Sequence, residues 1–304
     1  MSTGTSTGTS ERGPEEAARL LDTGYRPYDG PRAGIAGAIG SLVRYSVGRG
    51  LGLGRPFGGK IPIGMVMVVA YLPAIALVGV TVVAGDIFGT PLNESVRDFC
   101  GLTTTAVVAF SALVVPELFC TDKRTGMLGR YLSTPLTRWT YLIAKAGAML
   151  VLLSLVVMGP PLILLLGLSG VGDDLPRLLT VLDLLWRVVV GAALLSLPLA
   201  SVGAAVSSLT SRRVVATAII AVIMLLCTAV TAVLSETGSP DSIRLLDVVS
   251  VAFEMPYRLL LLGTEGGSDL SSVPVWQLLT AWTAWVLLPA AVVVTSYATT
   301  KVSR

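Results

Sequence analysis

The chain contains no histidine. That absence excludes Ser-His and Cys-His catalytic arrangements and the usual haem and zinc ligand sets. Charge is also scarce: Asp, Glu, Lys and Arg make up 13% of the 304 residues, against about 25% in a soluble domain. The three cysteines, Cys100, Cys120 and Cys227, show neither metal nor disulfide spacing. Carboxylates sit at the ends of the apolar runs, not in their centres, which disfavours an intramembrane aspartyl protease. Ionisable residues within spans normally mark ion-coupled transport, and their near absence argues against a proton- or sodium-driven carrier.

What is present is apolar length. Hydrophobic residues reach 53% and the mean hydropathy is +0.78. The long runs are continuous and do not alternate, so they predict helices, not barrel strands. About 20 apolar residues span a bilayer, and six runs qualify: Ile61–Gly85, Phe99–Phe119, Trp139–Leu168, Leu178–Leu209, Val214–Ser235 and Val273–Thr299. Gly159-Pro160-Pro161 is expected to kink or break the third. Asp183 and Arg187 suggest that the fourth begins as a separate surface helix.

Around these spans the chain divides by composition. Residues 1–34 are rich in Ser, Thr and Gly and lack the apolar core of a secretory leader, so they read as a disordered cytoplasmic tail. Residues 35–60 predict an amphipathic helix in the membrane interface, with Ile35, Ile39, Leu42 and Val43 near one face and Arg44 opposite. Gly48, Gly50, Gly52 and Gly54 make its second half a poor helix. Residues 61–304 form the six-helix membrane domain. Its outer segment, 236–272, predicts two short re-entrant-type helices before the last span, because its charges are too frequent for a crossing. With both termini cytoplasmic, seventeen of the 22 basic residues face inward, as the positive-inside rule requires.

Gly54-Arg-Pro-Phe-Gly-Gly-Lys60-Ile61 nearly matches a phosphate-binding P-loop. Position 61 is Ile, so no hydroxyl is available for magnesium; Pro56 interrupts the stretch and no strand precedes it. It reads as a flexible glycine joint, and neither ATP nor magnesium is expected on this chain.

The connection 120–138 is more informative. Met127, Leu128, Tyr131 and Leu132 share one helical face, flanked by Lys123, Arg124 and Arg130. Spacing alone leaves two readings open: a face that docks a soluble partner, or an ordinary basic loop resting on lipid.

A glutamate closing the second span, an acidic-basic-x-x-Gly-x-Leu stretch, Leu-Ser-x-Pro-Leu-x-Arg and a lysine inside the third span together resemble permease subunits of type-2 ABC exporters. The matching residues are Glu117, Asp122, Arg124, Gly126, Leu128, Leu132, Ser133, Pro135, Arg138 and Lys145. The resemblance implies an all-α permease, homodimeric or heterodimeric, joined to two copies of an ATP-binding subunit that carries ATP and Mg. Thr125–Leu132 would be the coupling helix. Spans two and five would line the route for a hydrophobic or amphipathic substrate, through Thr103, Thr104, Thr105, Ser111, Thr228 and Thr231, though such small residues also serve helix packing. The expected setting is a bacterial inner membrane, with lipid and no nucleic acid as further partner. A membrane scaffold without a transported substrate is the alternative.

Overall fold

Apolar runs in lipid must satisfy their own backbone hydrogen bonds, and helices are what form. The computed structural model describes Gly30 and residues 34–53, 57–84, 92–132, 136–169, 175–261, 270 and 272–299. Among these, the α-helices are α1 Gly34–Gly50, α2 Phe57–Ala84, α3 Leu92–Arg124, α4 Met127–Leu132, α5 Arg138–Ser169, α6 Leu175–Leu209, α7 Arg213–Glu236, α8 Val248–Pro256 and α9 Val275–Thr299. The described residues contain no strand. Gly34–Arg304 forms one unit; apart from Gly30, the tail expected before it lies outside the described residues.

Six helices hold stretches long and apolar enough to cross a membrane: Lys60–Val80, Thr103–Arg124, Arg138–Gly167, Leu179–Leu209, Arg213–Glu236 and Val275–Thr299. The stretches of α3 and α6 are each 72% buried, against 11% for that of α9. So α3 and α6 form the centre, with α5 packed on both, while α2, α7 and α9 stand outside. Phe110, Leu118 and Phe119 of α3, Leu152 and Leu153 of α5 and Leu199 of α6 fill the core.

Three sequence expectations need correction. The helix expected over residues 35–60 stops at Gly50, and residues 51–53 form a turn with Gly52 at φ +75°, in keeping with the poor helix expected of its glycine-rich second half. The start of α6 is not a separate helix; Arg187 continues it, paired with Asp183 at 2.6 Å and donating to Leu260 O at 2.8 Å. Nor does α5 break at Pro160 and Pro161.

Two of the prolines are tolerated because a neighbouring helix repairs the carbonyl that each strands. In a helix, the N–H of residue i donates to the carbonyl of i−4, so Pro198 leaves Leu194 O and Pro289 leaves Trp285 O without that donor. Trp282 Nε1 of α9 donates to Leu194 O at 3.2 Å, and Ser201 Oγ of α6 donates to Trp285 O at 2.8 Å. Each helix thus repairs the other. On α5, Tyr71 Oη of α2 donates to Leu155 O at 2.7 Å, beside the carbonyls deprived by Pro160 and Pro161. Gly159 makes room for that ring, which an added Cβ would strike.

At the end opposite α1, a 3-10 turn over Asp241–Leu246 leads into α8, and a π-helical turn over Tyr257–Leu261 follows. Asp247 starts α8 by accepting from Val249 N and Ser250 N. None of these pieces is long enough to cross; residues 262–269 lie outside the described set.

The proline repair is testable by a double-mutant cycle. Trp282→Phe should cost about 0.5–1.5 kcal/mol, the worth of one hydrogen bond, in thermal unfolding of the purified protein. On a Pro198→Ala background, where position 198 regains its N–H, the same change should be nearly neutral. Equal costs in both backgrounds would refute the repair.

Candidate functional site

The charges that the sequence scatters over four segments meet at the α1 end of the bundle. Asp122, in the last turn of α3, is 1% exposed. Its Oδ1 accepts from Arg49 Nη1 of α1 at 2.8 Å. Its Oδ2 receives Lys145 Nζ at 2.6 Å and Tyr141 Oη at 3.0 Å, both from α5. A buried carboxylate is costly unless its lone pairs are matched, and three donors from two other helices match this one.

Glu117 lies just over one turn earlier on α3. Arg213 Nη1, at the start of α7, reaches its Oε2 at 2.7 Å. Arg49 ties both stretches of α3: Nη2 donates to the Glu117 backbone carbonyl at 2.7 Å while Nη1 holds the Asp122 carboxylate. Burial works against the Arg49 charge, but the facing Asp122 outweighs it and holds the guanidinium above its ordinary pKa. Lys145, fully buried, keeps one further partner, Ser46 Oγ of α1, at 3.1 Å. Three cations and two carboxylates therefore tie α1, α3, α5 and α7 together.

The sequence reading had Glu117, Asp122 and Lys145 as motif residues, and the fold brings them together. It missed Arg49 and Arg213, read only as positive-inside charges, and Ser46, Tyr141 and Tyr297. A signal existed for α1: Leu42, Ser46 and Gly50 recur at i, i+4, i+8 and form the face it buries.

The connection 120–138 resolves into three parts. Residues as far as Arg124 belong to α3, Thr125-Gly126 makes the turn, and α4 follows. Gly126 sits at φ +63°, a left-handed position that suits glycine at a helix end. Arg124, Thr125 and Gly129 are exposed, and Met127 is half-buried. Tyr131 turns inward: its ring stacks on Tyr141 with centroids 5.7 Å apart, and Tyr141 meets Tyr297 of α9 at 5.8 Å. Burial, helped by nearby Asp122, pushes the Tyr131 hydroxyl up to about 12. So Tyr131 fastens α4 to the body. Ser133 and Pro135 lie outside the described residues, as do the side chains of Leu128 and Leu132. Arg138 opens α5 and donates to Ala298 O at 2.9 Å, binding the end of α9.

The hydroxyl residues expected along spans two and five are placed on facing helices. Thr103 and Ser111 of α3 and Thr231 of α7 are buried; Thr104 is half-buried, and Thr105 and Thr228 are exposed. Ser111 Oγ donates to Val108 O at 2.8 Å, and Thr231 Oγ1 to Cys227 O at 2.9 Å. Thr228 Oγ1 reaches the Asp247 carboxylate at 3.1 Å. Each of these three is engaged within the chain, and Thr228 supports the start of α8. The described residues include no group of three or more Cys, Asp and Glu suited to a metal.

The cluster makes an asymmetric prediction. Asp122→Asn leaves Lys145 buried without its carboxylate partner, and should cost about 3–5 kcal/mol, as does breaking a buried pair. Lys145→Met should cost less, because Asp122 keeps Arg49 and Tyr141. Thermal unfolding of both variants checks the order, and the reverse order would show that Asp122 is not the hub.

No individual curated relative matches the chain. A family model described as ABC-2 family transporter protein matches residues 65–298, a range that runs from α2 to the last turn of α9 and takes in Glu117, Asp122, α4 and Lys145. The chain belongs to this ABC-2 transporter family, as a multi-pass membrane permease component.

Proposed function

We propose that the chain is the membrane half of an ATP-driven exporter. It pairs with a second permease, identical or related, and with two copies of a separate ATP-binding subunit that hold ATP and Mg. Its cargo is hydrophobic or amphipathic. The α1 end faces the cytoplasm of a bacterium, with α1 in the membrane interface, both termini inside, and the segment around α8 dipping into the outer leaflet.

The observation that carries this reading is how α4 is attached. It hangs on the Gly126 turn with Arg124, Thr125 and Gly129 exposed, and Tyr131 joins it to Tyr141. Tyr141 in turn donates to Asp122. A push on α4 by a soluble subunit therefore reaches α5 through the ring stack and α1, α3 and α7 through the ion pairs. The other features agree. Arg124, Arg138, Arg212 and Arg213 gather near the α1 end, as a cytoplasmic face requires. On α7, Val222, Leu225, Leu226 and Val233 form an exposed apolar face that suits a second permease. The route then runs along α3 and α7, past Thr103, Thr104, Ser111, Thr228 and Thr231.

The roles within α4 divide. Met127, Leu128 and Leu132 supply the docking surface, with Asp122, Arg124 and Gly126 setting its position, and Tyr131 is the internal anchor. Leu128→Asp should weaken co-purification with the ATP-binding subunit by at least about 2 kcal/mol, roughly thirtyfold. Arg212→Ala, in the other loop at this end, should leave the complex intact. Tyr131→Phe keeps the ring stack and should also retain binding. Undiminished binding by both Leu128→Asp and Met127→Asp would sink the reading.

A further inference from the structure

A groove of about 260 Å³ runs between α5, α6 and α9 on the outside of the bundle. Trp139, Ala146 and Leu150 of α5, Ala204 of α6 and Val286 and Val294 of α9 are among its lining residues. Its one hydroxyl, Ser201, is spent on Trp285 O in the proline repair. The walls are almost wholly apolar, the Trp139 indole N–H at one end being the exception, and an apolar occupant fits them.

The length identifies which. Trp139 to Leu150 covers eleven helical steps, about 16 Å, and Val286 to Val294 covers about 12 Å. Half of a roughly 30 Å hydrocarbon core is about 15 Å. The groove is one leaflet deep. It starts at the α1 end, where Trp139 is exposed as aromatic residues are at a membrane interface. At that same end Arg138 is exposed beside it and spans from α5 to the last carbonyls of α9 through Nη1. Lys123 stands behind, donating to Ser208 O at the end of α6 and lying over the Tyr297 ring. Cations at the mouth and a dry channel one leaflet deep define a complementary ligand.

We propose that this groove binds one acyl chain of an anionic phospholipid from the leaflet on the α1 side, with the headgroup held at Arg138. The site lies apart from the α3 and α7 hydroxyl residues and from α4, and it needs only that the chain be embedded in a membrane.

The test uses the full chain in vesicles doped with phospholipids carrying a photoreactive acyl chain, on either a phosphatidylglycerol or a phosphatidylcholine headgroup. Adducts from the anionic probe should concentrate on residues 139–150, 200–204 and 286–294, not on the exposed α7 face at 222–233. Ala146→Trp, an exposed position inside the groove, should remove most of that labelling. Arg138→Gln should lower labelling by the anionic probe about fivefold, the worth of one cation near an anionic leaflet, and Arg138→Lys should restore most of it. Even labelling of groove and α7 face would overturn the proposal. So would groove labelling indifferent to headgroup and to Arg138→Gln. A groove silent to both probes, with disulfide-linked dimers from Ile143→Cys, would overturn it in favour of a second copy of the chain.

Discussion

Everything at the α1 end depends on matching the hydrogen-bonding capacity of one carboxylate buried inside the bundle. Asp122 is almost without solvent, and a lone buried charge would cost several kcal/mol. The chain answers by spending Arg49, Lys145 and Tyr141 on it. Those partners come from α1 and α5, so neither helix can move away without exposing a charge to an apolar surrounding. Apolar contacts alone would let α1 slide along the bundle, since dispersion has little directional preference. The ion pairs remove that freedom and set the register of α1 against α3. Glu117 extends the same logic to α7 through Arg213.

A second constraint governs the middle of the bundle. Lipid supplies no hydrogen bonds, yet Pro73, Pro116, Pro160, Pro161, Pro198 and Pro289 all lie within helices. Proline frees a carbonyl that something must satisfy. The exchange between α6 and α9 does so with an indole from one helix and a serine from the other. The result is a packing contact with defined geometry in a region where hydrophobic burial cannot discriminate one helix face from another. It also consumes the hydroxyl of Ser201, which leaves the lipid-facing groove beside it apolar.

How much of this the sequence made legible follows from which interactions are local. Span number and helical class could be read because apolar length and charge frequency are properties of contiguous residues. The motif residues Glu117, Asp122 and Lys145 were legible as a pattern. Their partners were not: Arg49 is 68 positions from Glu117 and 73 from Asp122, and although it lies beside the Leu42, Ser46 and Gly50 face of α1, nothing local says which acids it would meet. The misreading at the start of α6 has the same cause: its charges were weighed by their cost within their own helix, while Leu260 O, 73 positions away, accepts from Arg187.

Tyr131 shows the same limit from the other side. Helical spacing places it on one face with Met127, Leu128 and Leu132, and spacing cannot say which part of that face looks inward. The stack on Tyr141 decides it. An aromatic ring buried between α4 and α5 contributes far more as an anchor than as a rim contact, because aromatic pairs add about 0.5–1.5 kcal/mol beyond the area they bury. Tyr131 thus joins α4 to α5, while Arg124, Thr125 and Gly129 stay exposed around the turn.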